Sequence, residues 1–157
     1  MVQNLHIKHW PNHLPKSLEM PQKTVFENLV NSSERFPEKP AVVFYGTQVL
    51  YRELLKQTEQ LANHLKNECL IKKGDRVIID LQSSPQFIIS YYAVLSIGAL
   101  VIPISPMNVR DEINHYCSDS GARIAIVSQD VMHEFTGVIE QGLVDQVIVA
   151  TYSDFIS

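Results

Sequence analysis

Residues 76–104 read RVIIDLQSSPQFIISYYAVLSIGALVIPI, and the order of residue types in this stretch predicts the fold. The stretch begins with a short apolar run that is typical of a buried strand. Ser84 and Pro85 then predict a helix start, because a serine side chain can accept from a free helix amide and proline fits the first turn. Gly98 predicts the end of that helix, and the β-branched run at 99–104 predicts a second strand. A strand, a crossover helix and a second strand form the unit of a parallel sheet.

The same alternation of strands and helices continues to the end of the chain. Asn108 is predicted to cap the helix after the second strand, and apolar residues at helical spacing between 131 and 139 predict another helix. Strands are predicted at 76–81, 99–104, 123–127 and 146–150. Near-continuous apolar strands separated by helices indicate an α/β fold, in which helices cover both faces of a mainly parallel sheet.

The beginning of the chain differs from this pattern. Residues 1–22 are polar and contain several prolines, so we expect an extended arm, and residues 23–157 are expected to form one α/β subdomain. Thr24 and Glu27 have the spacing of a capping box, which predicts a helix start.

A hairpin and a long helix follow this first helix. The β-rich runs within 41–51 predict a hairpin that stands apart or pairs at a sheet edge, with Gly46 and Thr47 as its turn. From Tyr51 onward the apolar period changes to that of an amphipathic helix. The predicted buried stripe of this helix consists of residues 51, 54, 55, 58, 61, 62, 65 and 69.

The composition places the chain among soluble globular proteins. It has 157 residues, of which 45% are hydrophobic and 19% are charged, and this length suits one ordinary domain. The formal net charge of −4 argues against a nucleic-acid-binding protein, which would carry a basic patch or stripe. Cys69 and Cys117 lack CxxC or zinc-ligand spacing and are interpreted as reduced thiols of an intracellular protein. Residues 1–23 contain no secretory signal, so we expect a cytoplasmic protein.

One stretch of the sequence is long and apolar enough to raise a membrane alternative. Residues 81–109 contain no Asp, Glu, Lys, Arg or His, and residues 87–104 are mostly apolar. The break at Gly98 and the change to β-branched residues after it favour a buried helix followed by a buried strand. We therefore predict no transmembrane span, while peripheral contact with a membrane stays open.

Phosphate-binding glycine motifs are missing where the fold would place them. No glycine follows the first parallel strand, so the dinucleotide fingerprint is missing, and the sequence contains no GxxxxGK[ST] motif. A helix start capped by Ser83 and Ser84 could hold an anion through free amides. Ordinary helix capping is the simpler interpretation of the same two serines.

Other reactive side chains also have simpler interpretations. On a helix, His115 and Cys117 point about 200° apart, so they cannot form a nucleophilic pair. Asp111 and Glu112 suit the first turn of a helix, where the macrodipole favours acidic residues. A metal site remains an alternative for the histidines of the arm, but no carboxylate or cysteine completes it. These histidines are His6, His9 and His13. We therefore predict no catalytic, cofactor-binding or metal-binding residue in this chain.

Several short motifs in this sequence occur in a familiar order and at a familiar spacing. They are Trp10-Pro11 with Pro15, ERFPEKPAVVF at 34–44, YREL at 51–54, KKGDRV at 72–77, SPQF at 84–87, AVLSIGA at 93–99 with Pro103 and Pro106, RDEI at 110–113 and DSGA at 119–122. In these motifs the sequence resembles the N-terminal part of the acyl-adenylate-forming (AMP-binding) enzymes, most of all the long-chain fatty acid–CoA ligases. Leu50 stands where the family usually has threonine, and Ser83 and Ser105 each replace an asparagine.

The resemblance implies that the chain is an incomplete AMP-binding domain. The family's Ser/Thr/Gly-rich phosphate loop, its later acidic and arginine motifs and its small C-terminal domain do not occur in this sequence. The parent enzyme would use ATP and Mg²⁺ to convert a fatty acid to an acyl-adenylate and would then pass the acyl group to coenzyme A. The resemblance thus implies fatty acid, ATP and CoA as partners of the parent, in lipid metabolism.

The chain itself is expected to be inactive and to self-associate through apolar surface that the rest of the parent would cover. The alternative function is that of a stand-alone, non-catalytic α/β binding or regulatory domain of the same ancestry.

Overall fold

The structure is a computed structural model that describes residues 5–17 and 19–156. Its helices are α1 (Val25–Arg35), α2 (Tyr51–Asn67), α3 (Pro85–Ser96), α4 (Arg110–Ser120) and α5 (Thr136–Glu140). Its strands are β1 (Pro40–Phe44), β2 (Thr47–Leu50), β3 (Arg76–Asp80), β4 (Leu100–Pro103), β5 (Ile124–Ser128) and β6 (Gln146–Ala150). Short 3₁₀ helices occupy Leu5–His9, Gln129–Phe135 and Tyr152–Phe155.

Four parallel strands form the main sheet, in the order β4-β3-β5-β6. Successive residues of a strand point to opposite faces of the sheet. Val77 and Ile79 accordingly pack in the layer that α2 and α3 cover, whereas Ile78 packs in the layer of α4 and α5. The α/β prediction, with a parallel sheet covered on both faces, is confirmed.

The hairpin forms a separate two-stranded sheet, as expected, but its turn lies one residue earlier than predicted. Phe44 pairs with Thr47, so the two turn residues are Tyr45 and Gly46 rather than Gly46 and Thr47. Both have positive φ, +46° and +89°, which is the geometry of a type I′ turn. The prediction was wrong because it gave the single glycine to the first turn position, whereas here the glycine takes the second and a tyrosine takes the first.

The first turns of α1 and α2 are capped by different side chains. The Thr24 hydroxyl accepts from the Glu27 amide, and the Glu27 carboxylate accepts from the Thr24 amide, so the predicted capping box is confirmed. Leu50 offers no hydroxyl at the start of α2, and the Glu53 carboxylate accepts from the Leu50 amide at 3.0 Å instead. The buried face of α2 contains four residues of the predicted stripe, Leu54, Thr58, Ala62 and Leu65.

Two helix predictions need correction. Asn108 does not cap α4: the cap position is Val109, and the Asn108 side chain accepts from the Ser105 amide to close the preceding loop. The helix expected between 131 and 139 is mostly the 3₁₀ helix Gln129–Phe135, which continues as the short α5. The apolar residues had helical spacing, but that spacing does not distinguish a tight 3₁₀ turn from an α-helix.

The N-terminal arm is not extended throughout, because residues Leu5–His9 form a 3₁₀ helix. The division into an arm at 1–22 and a subdomain at 23–157 stays a prediction.

The uncharged stretch at 81–109 does not form one continuous helix. α3 ends at Ser96, Gly98 has φ +75°, and β4 starts at Leu100. Within residues 5–17 and 19–156, no helix is long and apolar enough to cross a membrane.

The turn around Gly98 supports a direct test of the fold. Gly98 has φ +75°, and a Cβ there would lie 3.0 Å from Lys73 Cγ, so Gly98→Ala should destabilise the chain by about 1–2 kcal/mol. Gly137 lies in α5, where its φ is not positive, and Gly137→Ala should be neutral or slightly stabilising. Urea unfolding of both variants checks this expectation. Equal effects of the two substitutions would contradict the left-handed geometry at Gly98.

Candidate functional site

The strand order creates one position where a parallel sheet usually binds ligands. The chain passes from β3 to β4 through α3 on one face and from β4 to β5 through α4 on the other. In such doubly wound sheets, ligands bind at the carboxyl ends of the strands where the winding direction reverses. Here that position lies between the ends of β3 and β5, at Asp80 and Ser128. We call this region, with the loop 81–84 and the segment 151–153, the carboxyl edge.

Asp80 is the least expected residue of the carboxyl edge. It is fully buried, and neither of its carboxylate oxygens has a hydrogen-bond partner among the described residues. Burial raises the pKa of this carboxyl from 3.8 to about 6, because an apolar environment disfavours the charged form. The sequence analysis did not single out Asp80, although it is the single ionisable residue in the apolar run 77–81.

Two backbone amides near the start of α3 donate to side chains of the chain itself. The Ser84 hydroxyl accepts from the Phe87 amide at 3.2 Å, and the Gln82 amide donates to the Tyr152 hydroxyl at 2.8 Å. Ser84 alone supplies the cap, and Ser83 is exposed beside it. This arrangement is ordinary helix capping by Ser84, and anion binding by other amides of this segment stays a hypothesis.

The C-terminal segment is attached to the same helix. Gln86 is buried in the first turn of α3, and its side-chain amide donates to the Thr151 carbonyl at 2.6 Å. Together with the bond between Gln82 and Tyr152, this contact holds the segment after β6 against the loop after β3. A cleft of about 220 Å³ remains beside it, lined by residues that include Gln129, Asp130 and Ser153.

The structure does not bring the other reactive side chains together. His115 is exposed on α4, whereas Cys117 is buried, and burial raises the pKa of the Cys117 thiol to about 11. A thiol with a raised pKa is a poor nucleophile. Asp111 and Glu112 lie in the first turn of α4, as expected, and hydrogen bonds from Asn108 and Val109 lower the pKa of Glu112.

Within the described part of the chain, no group of three or more His, Cys, Asp or Glu side chains could hold a metal ion. His9 and His13 are exposed, and the side chain of His6 lies outside the described residues.

A larger groove lies on the far side of α3, between that helix, α1, the hairpin and the start of α2. Its volume is about 400 Å³, and its lining is mostly apolar and aromatic, with the polar Asn28 and Ser32 on the α1 side. Four aromatic residues line it: Tyr51, Phe87, Tyr91 and Tyr92. Burial raises the pKa of Tyr92, and the neighbouring tyrosines add to the effect. The residues that line the groove include no Asp, Glu, Lys, Arg or His, so the groove can contact an apolar partner and offers no charged group.

Comparisons with known proteins agree in pointing to one family. The family described as AMP-binding enzyme matches residues 29–155. The long-chain-fatty-acid–CoA ligase of Bacillus subtilis (strain 168) is 31% identical over 150 residues, which are 96% of this chain and 27% of that protein. The solved long-chain-fatty-acid–CoA ligase of Archaeoglobus fulgidus has 25% identity and a TM-score of 0.78, covering 85% of this chain and 28% of that one.

A third similar protein is the N-terminal subdomain of NpsA from Klebsiella oxytoca, solved in complex with 3-hydroxyanthranilyl-AMSN. It has 35% identity and a TM-score of 0.63, and the match covers 67% of this chain and 27% of that chain. Most of this chain matches the two ligases, but it spans only about a quarter of the length of each of them.

Proposed function

The chain belongs to the family of AMP-binding enzymes, and on that premise we propose that it is the N-terminal scaffold part of an ATP-dependent fatty acid–CoA ligase. The observation that carries the proposal is the match of most of this chain to about a quarter of a long-chain-fatty-acid–CoA ligase. The parallel sheet supports it, because the same fold occurs in a solved ligase of that kind. We further propose that residues 1–22 are an arm, that residues 23–157 are the first subdomain, and that the protein is cytoplasmic.

The proposed parent activates a carboxylate in two steps. A carboxylate oxygen of the fatty acid attacks the α-phosphorus of ATP, and pyrophosphate leaves. The thiol of coenzyme A then attacks the acyl carbon, and AMP leaves. The phosphates need positive charge and directed amides around them, and the family's phosphate loop does not occur in this sequence. We therefore assign no catalytic step to its residues.

The role proposed for this chain is to hold the rest of an AMP-binding domain in place. It contributes a parallel sheet that has a packed apolar layer on each face. It also leaves apolar side chains exposed on the surface of the chain. These include Leu100, Met107 and Val149, which are 47%, 90% and 46% exposed. Exposed apolar surface of this kind promotes association, so we propose that the isolated chain self-associates.

The isolated chain is expected to lack both tight ATP binding and adenylation. The Ser84 hydroxyl accepts from the Phe87 amide at the candidate anion site, and no group of three or more His, Cys, Asp or Glu side chains among the described residues could hold a metal ion. Calorimetry with ATP and Mg²⁺ should show no micromolar binding, and no pyrophosphate should be released with a long-chain fatty acid. Micromolar binding or turnover by residues 1–157 alone would contradict the scaffold role.

A longer product of the same gene separates the proposal from the alternative of a stand-alone, non-catalytic domain. If translation continues into a phosphate loop, the longer product should release pyrophosphate when a long-chain fatty acid is added and should form acyl-CoA when CoA is present. A reading frame that ends at residue 157, or a folded longer product without this activity, would favour the non-catalytic domain.

A further inference from the structure

The two edges of the parallel sheet differ in what their backbones offer to another strand. β4 and β6 are the outer strands of the sheet among the described residues. The Leu100 amide at the start of β4 donates to the Asp75 carbonyl at 2.7 Å, and the Ile104 amide just after β4 donates to the Ile79 carbonyl at 3.0 Å. Every second backbone amide along this strand therefore points toward β3. Val101 and Pro103 consequently face outward. Because proline has no amide hydrogen, the outer edge of β4 offers one donor, and this is a common way to protect a sheet edge.

The outer edge of β6 has no such protection. Gln146 lies opposite Ile124, and its amide donates to the Arg123 carbonyl at 3.3 Å. Alternation along the strand then directs the amides of Val147 and Val149 outward. Residues 146–153 contain neither a charged residue nor a proline. An uncharged strand edge with free donors and acceptors is a template for another strand.

We propose that the edge of β6 pairs with β6 of a second copy of this chain, antiparallel and about a two-fold axis. This inference gives a surface to the self-association proposed above and rests on it. A two-fold axis through Ile148 places Val147 opposite Val149 of the other copy, and each outward amide then meets an outward carbonyl. The pattern is self-complementary, and no charged residue of one strand lies opposite another.

The side chains of β6 support the same pairing. Val149 is 46% exposed, and Val147 and Ile148 are half-buried against opposite layers of the sheet. Pairing two such strands would place apolar side chains side by side on both faces of a continuous eight-stranded sheet, formed from two four-stranded sheets. A second copy of the chain necessarily carries the same β6 strand, with the same apolar side chains and the same outward amides.

The test compares one added lysine at each edge. Val149→Lys introduces a charge into the proposed β6 pair, and Leu100→Lys introduces the same charge on β4 at nearly the same exposure, 46% against 47%. Sedimentation at micromolar concentrations should show dimers for the wild type and Leu100→Lys. For Val149→Lys, the dimer dissociation constant should rise about 10- to 100-fold, because each dimer would bury two lysines beside apolar partners.

Hydrogen exchange gives a second measurement that does not depend on a substitution. The amides of Val147 and Val149 should exchange more slowly when the wild-type chain is concentrated, while that of Val101 should not change. A monomeric wild type would overturn both the self-association and this interface. A dimer that is unaffected by Val149→Lys, or whose Val147 and Val149 amides stay unprotected, would overturn only the β6 interface and leave the ligase proposal untouched.

Discussion

Replacing Asp80 with asparagine is expected to remove a large pH dependence from the stability of the chain. Asp80 is fully buried without a hydrogen-bond partner, and its pKa is raised from 3.8 to about 6. Between these two values the folded chain keeps the proton that the unfolded chain releases. The free energy of unfolding therefore falls by about 1.4 kcal/mol per pH unit as pH rises from about 4 to about 6. The total loss is about 3 kcal/mol, and above the folded pKa this contribution stays constant.

The variant resembles the protonated acid in shape but cannot ionise. Relative to the wild type, Asp80→Asn should therefore gain about 3 kcal/mol between pH 4 and pH 7, which urea unfolding at each pH measures. Asp119→Asn, at an exposed position of α4, controls for the same change in charge. If the difference between Asp80→Asn and the wild type stayed constant across this range, Asp80 would not be a buried, unpartnered acid.

Asp80 also shows where sequence reasoning about this chain stops. The strands and their parallel order could be predicted, because apolar runs separated by caps and glycines report burial directly. The position of Asp80 inside one of those runs indicated a buried carboxylate, but a sequence does not reveal whether such a carboxylate has a hydrogen-bond partner. That depends on the neighbouring strands, β4 and β5, and on the layer above them.

The errors at helix and turn boundaries have a related cause. The hairpin turn could be placed only to within one residue, because the register that pairs Phe44 with Thr47 comes from contacts across the two strands. Asn108 has the residue type of a cap, yet its side chain closes the loop before α4. Tyr152 was not connected to the carboxyl edge by any local pattern, since its partner Gln82 lies 70 residues earlier in the chain.

Truncating Phe135 to alanine should cause the largest loss of stability among single core substitutions on the α4 side of the sheet. Phe135 is fully buried at the end of the 3₁₀ helix Gln129–Phe135 and packs in the layer that also contains Ile113 and Val138. Removing a buried phenyl ring loses its transfer free energy and leaves a cavity. The expected cost is about 3–5 kcal/mol, measured by urea unfolding.

Phe36→Ala provides the matched control, because Phe36 is 38% exposed and lies after α1, outside the main sheet. Its ring contacts the Lys39 ammonium at 4.4 Å, an interaction worth about 1 kcal/mol at an exposed site. Phe135→Ala should thus cost several times more than Phe36→Ala. The 3₁₀ helix and α5 are seven and five residues long, so we expect the packing of Phe135 to hold them against the sheet. Similar costs for the two substitutions would mean that this layer is not packed as described, and that the sheet is covered firmly on only the α2 and α3 side.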